Sequence, residues 1–293
     1  MSETTFALIG PGRVGRSIAY RLVQDGYHLS AIISRSLSRA KEAATFVGAT
    51  GCASCDLSAV THADIVLLAV ADDQIATVAE ELAARKIIKT ETLLVHFSGL
   101  HPAVILRPKG GLGRVASIHP LLSFAEPERA VVALSGTPCA IEGDAAALAE
   151  AETLVRAWGG EPFRLASEHK GLYHAAACVA SNFQVTLAAL ARDLLAPCGL
   201  DAEAARALLL PIQQATSANL AQLPPESALT GPIVRGDFGT VQAHLHALTQ
   251  TVPQALSLYR QLGLATVALA ETSGRLPADA ARRLRQELST DAP

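Results

Sequence analysis

Over the first 165 residues, short apolar runs alternate with stretches of helical period, the pattern of a parallel sheet covered on both faces. The runs Phe6–Ile9, Leu29–Ile33, Ile65–Val70, Leu93–Phe97, Arg114–Ile118 and Pro138–Ile141 predict strands, and a short run around Phe163 closes the set. Helices are predicted to begin near Arg13, Leu37, Asp73 and Asp144. After Ser167 the strand-like runs stop. Helical patterns then cover Glu168–Leu195, Asp201–Gln222, Asp237–Gln250, Val252–Ala270 and Pro277–Leu288, ahead of a short polar tail. The expected architecture is an α/β domain with a doubly wound parallel sheet over residues 1–165, followed by an all-helical domain over 166–293. Ala175–Ala180 and Leu187–Ala191 are apolar on every side, and such a helix must be buried on every side. A homodimer formed through the helical domain is expected to cover them.

Composition narrows the classes. The chain has 293 residues, half of them hydrophobic and 17% charged, which suits two compact domains and argues against disorder. A net charge of −3 gives no electrostatic case for nucleic acid or an anionic membrane. No unbroken apolar run approaches the roughly 18 residues of a spanning helix, and the first residues lack the regions of a signal peptide. A cytoplasmic protein is expected. The five cysteines are scattered and odd in number, as for reduced thiols. Cys52 and Cys55 form a CxxC, but a metal site needs a second ligand pair and the sequence offers none, so no metal is expected.

The strand Phe6–Ile9 runs directly into Gly10-Pro11-Gly12-Arg13-Val14-Gly15 and then a helix, with another strand following. A GxGxxG in that context is the dinucleotide-binding fingerprint of a Rossmann domain. Its glycines permit the tight turn, the approach of backbone to pyrophosphate and close helix–strand packing, while the helix N-terminus attracts the phosphates. Cofactor choice is read at the end of the second strand. An NAD enzyme usually carries Asp or Glu there; this chain has Ser34-Arg35-Ser36, with Arg39 a turn later. Two guanidinium groups and two hydroxyls suit a 2′-phosphate, so NADP(H) is the expected cofactor. Val70 and Ala71, after the strand from Ile65, are expected to line the cofactor, and Asp72 and Asp73 to cap the next helix.

The helix that opens the second domain carries most of the candidate chemistry. Lys170, Tyr173, His174, Ala177, Ser181 and Gln184 fall on one face of it, against an otherwise apolar surface. One polar stripe on a buried helix implies a wet cleft. Lys170 is one of only 5 lysines against 19 arginines, and the only one after residue 109. Lysine, unlike arginine, can release a proton near neutral pH when desolvated. Ser98 and His119 follow strands at their carboxyl ends, where open α/β sheets bind ligands. Both are candidates, with Lys170 and His174, for bonding a substrate oxygen and moving its proton. Either Lys170 or His119 could be the donor. Tyr173 and Ser181 are candidate substrate contacts. Arg235, in the Gly- and Pro-bracketed loop Thr230–Asp237, could hold a carboxylate by a bidentate pair.

With these segments placed, the chain resembles Rossmann-like proteins that carry a C-terminal helical domain of unknown function. They are relatives of pyrroline-5-carboxylate reductase and of the 6-phosphogluconate and β-hydroxyacid dehydrogenases. The resemblance covers nearly the whole chain. It rests on Ser117-Ile118-His119-Pro120, on the segment from Lys170 through Tyr173-His174 to Ser181-Asn182, and on Thr230–Asp237. It implies that Lys170 matches the acid/base lysine of the β-hydroxyacid branch, although His174 stands where that branch has asparagine. Ser98 with His119-Pro120 is also similar to the serine and histidine around the substrate hydroxyl in prephenate dehydrogenases. The expected activity is NADP(H)-dependent hydride transfer to or from a small carbonyl, hydroxyl, imine or amine substrate. The alternative is an NADP(H)-binding sensor without turnover.

Overall fold

The structure is a computed structural model that describes residues 4–109, 111 and 113–289; the last residues of the polar tail lie outside the described residues. Eight strands form one sheet: β1 (Thr5–Ile9), β2 (His28–Ile33), β3 (Ala53–Ser54), β4 (Ile65–Leu68), β5 (Leu93–His96), β6 (Arg114–Pro120), β7 (Pro138–Gly143) and β8 (Glu161–Arg164). Their order is β3-β2-β1-β4-β5-β6-β7-β8, so the chain reverses direction across the sheet between β1 and β4. Strands β3 to β6 in that order are mutually parallel. The expectation of a parallel sheet fails at one place only: β7 runs antiparallel to β6. β3 was not visible in the sequence, because two residues show no periodicity.

Twelve α-helices accompany the strands among the described residues. In the first half they are α1 (Arg13–Gln24), α2 (Leu37–Val47), α3 (Ile75–Arg85), α4 (Pro127–Ala133) and α5 (Ala145–Ala157). Alternation along the strands divides the core in two. Leu8, Ile32, Leu67, Val95, Ala116 and Ile141 pack with α1, α2 and α5. Ala7, Ile33, Val66, Leu94 and Val115 pack with α3. Strands buried on both faces read as continuous apolar runs, which is why they were legible.

The helical half comprises α6 (Lys170–Ala180), α7 (Asn182–Leu195), α8 (Ala202–Leu220), α9 (Pro225–Ala228), α10 (Phe238–Thr251), α11 (Leu256–Thr272) and α12 (Ala278–Ser289). The single helix expected over Glu168–Leu195 is two, because the backbone leaves helical geometry at Ser181 (φ −121°, ψ −69°). The chain divides into compact units at residues 1–182 and 183–293, whereas the sequence pointed to a boundary at 165/166. α6 stays with the sheet because Lys170, at its start, is buried against it. In the second unit α10, α11 and α12 share a core of Val241, Leu245, Val267, Ala270, Leu284 and Leu288.

Among the described residues one segment, Ser167–Cys198, is long and apolar enough by length and composition to cross a membrane, and none of its most apolar window is buried. The expectation of complete burial for Ala175–Ala180 and Leu187–Ala191 is not met within one chain. Leu172, Val179, Phe183 and Val185 are 79%, 59%, 54% and 71% exposed.

Candidate functional site

The parallel strands bring their carboxyl ends to one edge of the sheet, and three direct contacts run along that edge. At the end of β1, Gly10 takes φ +87°, and a Cβ there would lie 2.8 Å from the Ala69 carbonyl oxygen and from Val70 Cγ1, beyond β4. Gly15 is as close, 2.7 Å from the Gly10 carbonyl oxygen. Next along, the Asp72 carboxylate, beyond β4, accepts the Ser98 hydroxyl at 2.7 Å, beyond β5. Then Gly99 sits between two imidazoles: a Cβ there would lie 2.7 Å from His174 Cδ2 and 2.9 Å from His119 Nε2. The edge therefore runs from the glycine turn to the histidines through touching groups.

The glycine turn fits a pyrophosphate. Gly12 is exposed and caps α1 without a side-chain acceptor, so the first-turn N–H groups of Arg13, Val14 and Gly15 face a place where an anion is stabilised. Pro11 is buried and stiffens the turn. At the end of β2, the Ser34 hydroxyl accepts the Ser36 N–H and the Ser36 hydroxyl meets that of Ser38 at 2.8 Å. Arg35 and Arg39 are both exposed beside these hydroxyls. Ala71 is exposed and opens the 3-10 turn Asp72–Gln74, in which Asp72 bonds Ser98 rather than capping.

His119 lies within β6, two residues after Ser117 on the same face. Its Nδ1 is 2.8 Å from the Tyr173 hydroxyl of α6. Tyr173 stands edge-on to His119 and to Phe163, with ring centroids 5.5 and 6.1 Å apart. His174 stands edge-on to His119 at 5.9 Å. Burial, reinforced by His174 and Lys170, pushes the His119 imidazole down to about 4. Burial pushes the Tyr173 phenol up to about 12. A cavity of about 660 Å³ opens on this group, lined by His119, Tyr173, His174, Cys178 and Ser181 together with the turn from Leu121 to Phe124.

Lys170 is not on a wet face. Its side chain is 2% exposed, and its Nζ donates to the Ser117 hydroxyl at 2.6 Å and the Ser98 carbonyl at 3.1 Å. Glu142 Oε1 lies 3.7 Å away. The register places Ser117 directly opposite Glu142 across the β6–β7 pair, so one ammonium reaches both. Glu142 also accepts the Ala103 N–H at 2.6 Å and the Ser167 hydroxyl at 2.9 Å. Desolvation lowers the Lys170 ammonium, opposed by Glu142 and Asp72. The stripe expected on one helix face thus splits: Lys170 goes under the site, while Tyr173, His174 and Ser181 line the cavity.

Ser98 is buried and its hydroxyl is committed. It donates to Asp72 and accepts the N–H groups of Leu100 and His101 at 3.1 and 3.0 Å. The Ser98 N–H in turn donates to His96 Nδ1 at 3.1 Å. Burial takes His96, 0% exposed, down to about 4. Arg235 is exposed in the second unit, in a loop whose Asp237 caps α10 by accepting the Thr240 N–H and hydroxyl. Sequence reasoning missed Glu142 and gave no role of their own to Ser117 and Gly99. Glu142 had a signal: it is a lone carboxylate in an otherwise apolar strand, and a carboxylate is almost never fully buried unless paired. Among the described residues no group of three or more His, Cys, Asp or Glu side chains could hold a metal ion.

Comparison with known proteins bears on this edge. Residues 5–95 match the family described as "NADP oxidoreductase coenzyme F420-dependent". Residues 137–266 match the "Domain of unknown function (DUF2520)". The chain is therefore similar in its N-terminal part to the NADP oxidoreductase class and in its C-terminal part to a domain of unknown function, in the order that the sequence resemblance implied. The expectation of NADP(H) agrees with that class. No curated protein matches the chain. Among solved structures, a Bacteroides fragilis protein provisionally described as an NADP oxidoreductase is 25% identical, with a TM-score of 0.76, over 92% of this chain and 98% of its own. A Thermotoga maritima protein is 27% identical, with a TM-score of 0.66, over 96% and 98%. A pyrroline-5-carboxylate reductase from Coxiella burnetii, at 18% identity and a TM-score of 0.57 over 99% and 100%, shares the fold.

Proposed function

We propose that this chain is an NADP(H)-dependent oxidoreductase acting on a small carbonyl or imine, or on the corresponding alcohol or amine, with His119 as the group that bonds the reacting heteroatom. The observation that carries this reading is the placement of His119: at the carboxyl end of β6, on a cavity, with Nδ1 engaged by Tyr173 and Nε2 beside Gly99. The contacts from Gly10 through Ala69, Asp72, Ser98 and Gly99 link that imidazole to the turn suited to a pyrophosphate. Gly10, Gly12 and Gly15, with the N–H groups of Arg13 and Val14, hold the diphosphate. Arg35 and Arg39, with Ser34 and Ser36, hold the 2′-phosphate, and Val70 and Ala71 flank the path to the nicotinamide. The cofactor, when bound, supplies or accepts the hydride.

His119 is then the proton-handling residue, and His174 the second group that orients the substrate heteroatom. Tyr173 and Ser181 bound the substrate space. Lys170 acts as a positioning residue: from beneath the site it ties the Ser98 carbonyl to Ser117 and Glu142, so that Gly99 stays between the imidazoles. The exposed apolar side chains Leu172, Val179, Phe183 and Val185 favour a homodimer built on the helical region, which light scattering would detect as twice the 30.5 kDa chain mass. All five cysteines are free thiols, in keeping with a cytoplasmic setting.

Calorimetric titration with NADPH and NADH tests the cofactor. Selective NADPH binding, followed by NADPH oxidation on a panel of keto acids and imines that is lost in His119→Ala, is the expected result. Binding of neither nucleotide would overturn the reading.

A further inference from the structure

Within the oxidoreductase reading, the pair formed by His119 and Tyr173 has a consequence of its own. The two atoms in contact are the phenolic oxygen and Nδ1, 2.8 Å apart. A phenol is the stronger donor of the two and an imidazole nitrogen the stronger acceptor, so the O–H of Tyr173 donates and Nδ1 accepts. A neutral imidazole carries one ring proton, which this bond assigns to Nε2. Nε2 is the atom that stands 2.9 Å from the position a Gly99 side chain would take, and His119 is one of the residues lining the cavity. The site therefore presents an N–H donor to a ligand, with a second proton stored one bond behind it.

We propose that Tyr173 and His119 form a two-residue proton relay, in which the tyrosine fixes the Nε2–H tautomer and supplies the proton that replaces the one given to substrate. Neutral imidazole alone is a poor acid, because loss of Nε2–H leaves an imidazolate. The tyrosine removes that obstacle. As the substrate heteroatom gains electron density it takes the Nε2 proton, and Nδ1 takes the phenolic proton in the same event. The bonds formed are heteroatom–H and Nδ1–H; the bonds broken are Nε2–H and the tyrosine O–H. The ring remains neutral throughout and one proton has in effect moved from the phenol to the substrate; the pair resets when a proton from solvent reaches Nε2 and the Nδ1 proton returns to the phenolate. Run backwards, from the tyrosinate with the ring proton on Nδ1, the same pair accepts the proton of an alcohol at Nε2 and returns the Nδ1 proton to the phenolate.

Two features of the surroundings suit this role. The phenol ring is held edge-on by Phe163 and by His119 itself, which limits the swing of the hydroxyl. A phenol raised to about 12 keeps its proton at neutral pH and gives it up only to a stronger base such as a developing alkoxide. An imidazole lowered to about 4 stays neutral, as the relay requires. The relay handles oxygen anions better than imines, because an imine is reduced as its cation and calls for a stronger acid. Carbonyl compounds are thus the favoured half of the proposed substrate range.

The tautomer can be read without any cofactor. Protein labelled with 15N-histidine, studied by long-range 1H–15N correlation at pH 7, reports which ring nitrogen carries the proton, and His119→Asn identifies the signals. The expected result is a single proton on Nε2 in the native chain and a mixture of both tautomers in Tyr173→Phe. A proton on Nδ1, a doubly protonated ring, or an unchanged tautomer in Tyr173→Phe would each overturn the relay. Turnover supplies the second arm: Tyr173→Phe should bind NADPH as the native chain does and reduce carbonyl substrates at least ten-fold more slowly, whereas unaltered turnover would overturn it. Absence of NADPH binding to the native chain refutes the oxidoreductase reading instead, and leaves the tautomer result standing on its own.

Discussion

Lys170 and Glu142 form an ion pair at 3.7 Å between the first turn of α6 and the end of β7, with side chains only 2% and 9% exposed. Neither charge is left with the pair alone. The ammonium also holds Ser117 and the Ser98 carbonyl, and the carboxylate holds the Ala103 N–H and Ser167. Full hydrogen bonding of this kind is what makes a buried charge pair tolerable. Lys170→Met leaves the carboxylate buried without its counter-charge and should lower the unfolding free energy by about 3–5 kcal/mol. Urea denaturation checks this; a loss under about 1 kcal/mol would mean that the pair is hydrated.

Gly99→Ala tests the geometry above that pair. The new methyl group would meet His174 and His119 at 2.7 and 2.9 Å, so the imidazoles must separate. The folded state should lose about 1–3 kcal/mol through overpacking. Turnover should fall further than stability implies, by roughly 10- to 100-fold, because the reacting group itself is displaced. Steady-state kinetics beside a denaturation curve distinguishes the two effects.

Acid should weaken the fold before the carboxylates titrate. His96 and His119 are lowered to about 4, whereas an unfolded chain protonates histidine near 6.5. Between those values the unfolded state binds more protons, so stability is complete above pH 6.5 and is lost as the pH falls towards 4. Each histidine contributes a slope of at most about 1.4 kcal/mol per pH unit. Denaturation midpoints measured from pH 7 to 4.5 should decline, and His119→Asn should make the decline shallower.

In the proposed site, cofactor choice rests on Arg35 and Arg39. Charge-assisted hydrogen bonds contribute about 1.5–3 kcal/mol each, so replacing both by alanine should weaken NADPH binding roughly 100-fold or more. NADH, which lacks the 2′-phosphate, should bind nearly as before. Equal losses for the two nucleotides would show that the arginines touch something other than that phosphate.

The site was legible in parts. His119, Tyr173, His174 and Ser181 were singled out from their positions at a strand end or on one helix face, and the structure brings all four to one cavity. Lys170 stood out by its rarity, yet its partners could not be read, because Ser117 and Glu142 lie on an antiparallel pair whose register no local pattern specifies. Ser98 was read as a free hydroxyl, but the turn that follows folds its own N–H groups back onto it.

By itself the sequence determined most of the elements and the class of cofactor. Strands buried on both faces must be apolar throughout, and a glycine turn between strand and helix allows few conformations; each is a local constraint written in consecutive residues. Tertiary structure alone decided which polar groups meet. The break at Ser181, the reversal of β7 and the burial of Lys170 follow from contacts between residues tens of positions apart. Burial is a property of the packed whole: the same ammonium that would be a proton donor in a wet cleft becomes a fixed strut once Glu142 and Ser117 enclose it.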